Sequence, residues 1–264
     1  MILFIQTAFL GDLLLSIPTL KKLRELHPQK KIHLICRKGL GSLLVKEGLV
    51  DRAFDDFKKT KPTVSEIGER LGENHYDLLV CAHESARSNI LSWSIEADFK
   101  IGYKNFWNFF IFDRRVRRHI DWPEVLRQMD LLAGLDPALE RELDGLRSQR
   151  APFGHLPAWT RMHLRESRTP GPAGSTKTAV LAPGSVWPTK RWGGFSDLVG
   201  ELLNSGFEVI LIGSPAEKEI STPIKNKYPQ VRDMTGLTSL PEMLEVLSGA
   251  DVLVCNDSGA MHMA

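Results

Sequence analysis

MILFIQTAFLGDLLLSIPTL, residues 1–20, is the stretch whose reading decides the fold. Ile2–Gln6 is an apolar run of strand length, and after Gly11 and Asp12 it gives way to an amphipathic segment that predicts a helix over 19–26. A strand, a glycine-bearing turn and a helix in succession open a parallel α/β sheet. The segment is apolar enough to resemble a leader, but no basic region precedes the apolar run, and Gly11, Asp12 and Pro18 interrupt it. A buried strand and turn is the expectation.

Working outward, the alternation continues. Further strands are expected at Ile32–Cys36, 77–82 and 99–103, with helices over 42–47, 64–71, 88–96 and 123–133. From about residue 136 proline, glycine, arginine and serine dominate, ending in ESRTPGPAGSTK, and this predicts a linker over 151–176 between a domain at 1–150 and another at 177–264. A second series then predicts strands at Thr178–Ala182, 208–212, near Val231 and at Val252–Cys255, with helices over 195–204, 216–228 and 241–248. The fold class is α/β, two Rossmann-like halves expected to face each other across a cleft.

Composition bounds the function. At 264 residues, 42% hydrophobic and 25% charged, the chain suffices for two modest α/β domains. No apolar run reaches the ~18 residues of a spanning helix, so membrane contact is expected to be peripheral. A formal charge of +2 argues against nucleic acid as partner. RRVRRH at 114–119 is locally basic: it is either a solvated face or an attractor for an anionic acceptor or membrane surface. Cys36, Cys81 and Cys255 each lie in strand-like runs and are expected to be buried free thiols, without metal-ligand spacing.

Three segments can carry chemistry. Gly11 permits close backbone approach at the end of the first strand, and Asp12 falls at or just before a helix N-terminus, where negative charge is favoured. Asp12 is therefore either a base or a helix cap. In APGSVWPTKRWGGF, 182–195, a strand ends at Ser185 and a loop presents Thr189, Lys190 and Arg191 before a helix. Such a loop can hold a phosphate, although a Lys-Arg pair is also a common solvated charge, and the P-loop pattern is absent. In VCNDSGAMHMA, 254–264, amides of Ser258, Gly259 and Ala260 open another helix on the same strand-end face, which suggests a diphosphate. His262 is a packed histidine or a catalyst. A serine nucleophile at Ser258 lacks the GxSxG pattern, and a dehydrogenase lacks GxGxxG.

These segments, together with GDLLLSIPTLKKLRELHP, LIGSPAEKE and TGLTSLPEMLEVLSGAD in that order, resemble the ADP-heptose:lipopolysaccharide heptosyltransferases, glycosyltransferase family 9. The resemblance implies a GT-B fold and an inverting, metal-independent transfer of a heptose or related sugar from an ADP-sugar donor to an anionic lipid-linked core oligosaccharide. It implies cytoplasmic work, with the inner-membrane surface as a peripheral partner, and no cofactor beyond the donor. Matched position by position, Asp12 is the general base beside Gly11 and Lys190 neutralises the departing diphosphate. Ser185 and Thr189 share its loop, and Asp257, Ser258 and Gly259 form the amide-rich turn. Glu217 holds the ribose, and Leu240 packs the adenine. Arg87, Lys104, Arg114, Arg115, Arg117 and Arg118 are acceptor-side candidates that spacing does not separate. The chain ends at Ala264, about one turn into its last helix, whereas the family implies further elements. The second domain is thus expected to be C-terminally truncated, and the alternative function is an inert nucleotide-binding module.

Overall fold

The computed structural model describes residues 1–56, 64–72, 75–147, 157–160 and 176–264, and the chain divides into two compact units, Met1–Met162 and His163–Ala264. Most of the segment read as a linker lies outside the described residues.

In the first unit the elements run β1 Ile2–Gln6, α1 Leu10–Leu14, α2 Ile17–Leu26, β2 Ile32–Cys36, α3 Gly41–Lys46, β3 Arg52–Asp55, α4 Val64–Leu71, β4 His75–Cys81, α5 Ala86–Ser94, β5 Glu96–Tyr103, β6 Arg114–Val116, α6 Glu124–Asp130 and α7 Pro137–Arg147. All six strands are parallel, in the order β3-β2-β1-β4-β5-β6. Every residue of β1 and β2 is buried, as befits central strands covered by helices on both faces. Leu3, Ile5, Leu79 and Cys81 pack on one side with Leu71, Leu91, Ile95 and Phe112.

In the second unit β7 Thr178–Ala182, α8 Phe195–Asn204, β8 Glu208–Leu211, α9 Lys218–Lys227, β9 Arg232–Asp233, α10 Leu240–Ser248, β10 Val252–Cys255 and α11 Gly259–Met263 build a parallel sheet ordered β10-β7-β8-β9. Leu181, Val199, Val209, Leu211 and Ile224 form its core. Ser239 and Glu242 start α10 with reciprocal side-chain to backbone bonds, and Pro241 sits in its first turn.

Several readings need correction. The expected helix over 88–96 ends at Ser94, because Glu96 already opens β5 and pairs with His75. β3 and β6 are additional strands; both are short edge strands with too few apolar residues to give a periodic signal. Residues 137–147, assigned by composition to the start of the linker region, form α7. Its residues Leu139 and Leu143, four apart, are buried, Asp136 accepts from the Ala138 amide at 2.9 Å and pairs with Lys22 at 2.8 Å, and Arg147 pairs with the buried Asp130 of α6. The three cysteines are free; Cys36 and Cys81 are buried and Cys255 half-buried. No described helix is long and apolar enough to cross a membrane.

Candidate functional site

In each sheet the strand order reverses direction once, between β1 and β4 in the first unit and between β7 and β10 in the second. Loops leaving neighbouring strands at such a reversal run apart and leave a crevice at the carboxyl ends, where open α/β sheets take ligands.

The first crevice is a cavity of about 370 Å3 lined by Thr7, Phe9 and Asp12 after β1, by His83, Glu84 and Arg87 after β4, and by Arg37 and Arg118 from flanking strands. Asp12 is the third residue of α1, not its cap: Phe9 occupies the capping position and no side chain closes the helix start. The apolar turn Ala8-Phe9 lets the helix begin two residues earlier than the Gly-Asp pair predicts. The half-buried Asp12 leaves its carboxylate toward the cavity, while its carbonyl accepts from Ser16 Oγ at 3.0 Å and Gln128 Nε2 at 3.1 Å.

Facing it is a histidine that spacing did not single out. His83 Nδ1 lies 2.8 Å from Thr7 Oγ1, 3.1 Å from Ser88 Oγ and 3.3 Å from Ser85 Oγ, and the Ser85 and Ser88 hydroxyls are themselves 2.8 Å apart. Burial pushes the imidazole below its usual range, and the charge of Asp12 pulls the other way. Only the strand-order reversal brings β1 and β4 together, so His83 and Thr7, 76 positions apart, carry no local signal. Of the basic candidates, Arg87 and Arg118 line this cavity and the other four do not; Arg37 joins them, its guanidinium 4.3 Å above the Phe9 ring. Arg87 pairs with Asp56 at 3.0 Å, and Arg118 with Glu124 at 3.0 Å and Glu84 at 3.3 Å.

In the second unit, Ser185 follows β7, Glu217 follows β8, Leu240 follows β9 and Asp257 follows β10, so parallel strand ends bring all four to one sheet edge. The β7 and β10 loops are stitched together by Asn256. This buried amide accepts from the Trp192 amide at 3.0 Å and donates to the carbonyls of Pro183 at 2.9 Å and Gly184 at 3.3 Å. Thr189 and Lys190 lie exposed on a single tight turn, Pro188–Lys190. Lys190 Nζ meets Asp257 Oδ2 at 2.5 Å, and the ammonium holds the exposed Asp257 carboxyl below its usual range. Arg191 Nε bonds back to the Ser185 carbonyl at 2.9 Å, which fixes the loop around the buried Ser185. Ser258 is extended and stands at the start of α11, whose first amides have no intrahelical acceptor.

Glu217 closes the turn Ser214–Glu217 by accepting from the Ser214 amide at 2.6 Å. Its other oxygen lies where a Cβ on Gly184 would be, only 2.0 Å away. Glycine at 184 is therefore what allows this carboxylate to lie over the β7 loop. Leu240 is half-buried at the first position of α10.

Two parallel α/β units, each with one reversal of strand order, define a two-domain α/β protein of Rossmann-like architecture. The glycosyltransferase family 9 (heptosyltransferase) model matches residues 64–264, and the chain belongs to that family. Lipopolysaccharide heptosyltransferase 2 of Salmonella typhimurium is 24% identical over 284 residues, covering 100% of this chain and 79% of the relative. Among solved structures, the E. coli ADP-heptose lipopolysaccharide heptosyltransferase II superposes with a TM-score of 0.77 at 21% identity, covering 100% of this chain and 81% of that one. E. coli heptosyltransferase WaaC with ADP-2-deoxy-2-fluoro heptose superposes with a TM-score of 0.73 at 19% identity, covering 99% and 84%. The fold is thus of the GT-B type, and the protein is a glycosyltransferase of the lipopolysaccharide heptosyltransferase group.

Proposed function

We propose that this chain transfers a heptose from an ADP-sugar to a hydroxyl of a lipopolysaccharide-core acceptor, with inversion and without a metal. The observation that carries the proposal is the strand-end edge of the second unit, where Asn256, at the end of β10 just ahead of α11, is bonded to the loop that carries the Lys190 turn. A group of that chemistry answers two adjacent phosphates. The relatives' names supply the sugar, and the WaaC complex supplies the donor type.

As the anomeric carbon parts from the diphosphate oxygen, charge grows on the departing ADP. Lys190, released from Asp257, and the amides of Ser258 and Gly259 stabilise that charge more than they stabilise the bound donor. Ser185 and Thr189 supply hydroxyls in the same loop, Glu217 takes the ribose hydroxyls and Leu240 packs the adenine. The acceptor oxygen attacks from the opposite face and gives its proton to Asp12, so one C–O bond forms as the other breaks. Arg37, Arg87 and Arg118 around Asp12 suit an anionic acceptor. On this reading the protein works in the cytoplasm, peripheral to the inner membrane, and its formal net charge of +2 argues against a nucleic-acid partner.

The test is transfer from ADP-heptose to a core acceptor, run beside calorimetry with ADP and NAD. ADP binding together with an inverted product is the expected result. Tight ADP binding without transfer makes the chain an inert nucleotide-binding module, and binding of NAD alone overturns the reading.

A further inference from the structure

The loop from β5 to β6 carries KNFWNFFIF, residues 104–112. Asn108 pins it from within: the side chain is buried, accepts from the Asn105 amide at 2.9 Å and donates to the Tyr103 carbonyl at 2.9 Å. Trp107, Ile111 and Phe112 then turn into the core under α5. The remaining rings are left outside, with Phe106, Phe109 and Phe110 being 91%, 66% and 58% exposed. The loop is thus fastened by its inner residues while it holds three phenylalanines in water. Contiguous exposed aromatics of this kind mark a contact surface. Ile90 and Trp93, exposed on α5, extend the apolar surface of the helix that covers the same core.

Charge says what meets it. In a parallel pair, registered residues point to the same face. Gly102 is registered with Arg115, and a Cβ on Gly102 would meet the Phe112 ring at 2.5 Å. Arg115 therefore projects from the face of the sheet on which Phe112, the last residue of the loop, packs. Lys104 opens the loop and Arg117 follows β6; all three cations are exposed, and none has a carboxylate partner among the described residues. The acid in the connection, Asp113, is engaged by the Lys100 amide at 2.8 Å. Aromatic rings flanked by unpaired cations match a bilayer interface, where rings enter the headgroup region and cations meet anionic phosphates.

We infer that the 104–112 loop, with Arg115 and Arg117, docks the protein on an anionic phospholipid surface. The inference deepens the reading of a lipid-linked acceptor and rests on it for purpose only, because binding to lipid is measured apart from transfer. The loop leaves the carboxyl end of β5, and Arg118, just past β6, lines the Asp12 cavity. Docking through this loop sets that cavity at the membrane face, where a lipid-linked acceptor resides.

The full chain is sedimented with vesicles of phosphatidylcholine alone and with added phosphatidylglycerol, at low and high salt. Binding confined to the anionic vesicles and weakened by salt is expected. Phe106→Ser, Phe109→Ser and Phe110→Ser together lower vesicle affinity at least tenfold, and Arg115→Gln with Arg117→Gln lower it about fivefold per charge, both with unchanged melting temperature. The triple variant keeps wild-type transfer to a water-soluble acceptor. Absence of transfer by the wild type defeats the enzymatic reading and leaves the vesicle result standing. No binding, equal binding to neutral vesicles, or wild-type binding by the triple serine variant overturns the inference. So does a concentration-dependent dimer that the triple variant abolishes, which assigns the surface to a second copy.

Discussion

Replacing Asp12 with asparagine separates chemistry from scaffolding more sharply than any other single change. The side chain caps nothing, and the two bonds at this residue, from Ser16 and Gln128, go to its backbone carbonyl, which the substitution leaves in place. The structural loss is confined to a negative charge in the first turn of α1, about 0.3–1 kcal/mol. Loss of a positioned base lowers the chemical step by roughly 10²- to 10⁴-fold, or about 2.7–5.5 kcal/mol in the barrier. The two readings therefore differ by several-fold in energy. ADP affinity is expected to hold, since every proposed nucleotide contact belongs to the second unit. The assay is single-turnover transfer from ADP-heptose at saturating donor, with melting temperature and ADP calorimetry on the same preparation. Transfer within twofold of wild type removes Asp12 from the mechanism, and a collapse of melting temperature alongside transfer makes the defect structural.

Other outcomes follow from the same geometry. Lys190→Ala weakens ADP by about 1.5–3 kcal/mol more than AMP, because it removes the cation and also frees the Asp257 carboxylate beside the phosphate site; equal losses measured by calorimetry place Lys190 elsewhere. Asn256→Asp keeps shape but turns a donor toward two carbonyls into an acceptor, and it costs at least about 1–3 kcal/mol in denaturant unfolding; a neutral effect denies the stitch. For His83 the pH dependence has a fixed sign: burial lowers the folded pKa, so the unfolded chain takes up its proton first. Its contribution is intact above the ordinary imidazole value of about 6.5 and is lost as pH falls from there through the lower folded value. His83→Gln flattens the acid side of a melting-temperature profile between about pH 7 and 5, and superimposable slopes refute this.

Much of this architecture is legible in the chain because central parallel strands are buried on both faces. β1, β2 and β7 are mostly apolar and buried, with His33 interrupting β2, and their limits agree with those expected from sequence; β10, an outer strand, is legible because its four residues are all apolar although none is fully buried. The edges of the first sheet are illegible for want of apolar residues: β6 is Arg-Arg-Val, and only its valine is buried. α7 is masked by its surroundings, since its two buried leucines and opening proline adjoin the proline-rich stretch that follows. Among the proposed donor residues, Ser185 and Asp257 stand just past apolar strands, whereas Glu217 and Leu240 come from the resemblance to the family alone. His83, Arg37 and Asn256 gain their meaning from partners 30 or more positions away, or from a shared cavity, and no window along the sequence contains both members.

That separation bears on how the protein comes into being. Thr7 and His83 are 76 positions apart, as are the registered residues of β1 and β4, and Asn256 stands 73 from the carbonyl it holds at Pro183. A nascent chain that has reached β3 has its first strand and Asp12, but it lacks the neighbour that completes the central ladder and walls the crevice. Each constellation therefore arises in one late step, when a distant strand docks, and loop closure of this span makes such docking slow. Partial translation products and proteolytic pieces that stop short of β4 or β10 lack His83 or Asn256 as well as the strand that carries it, so neither constellation is assembled in them.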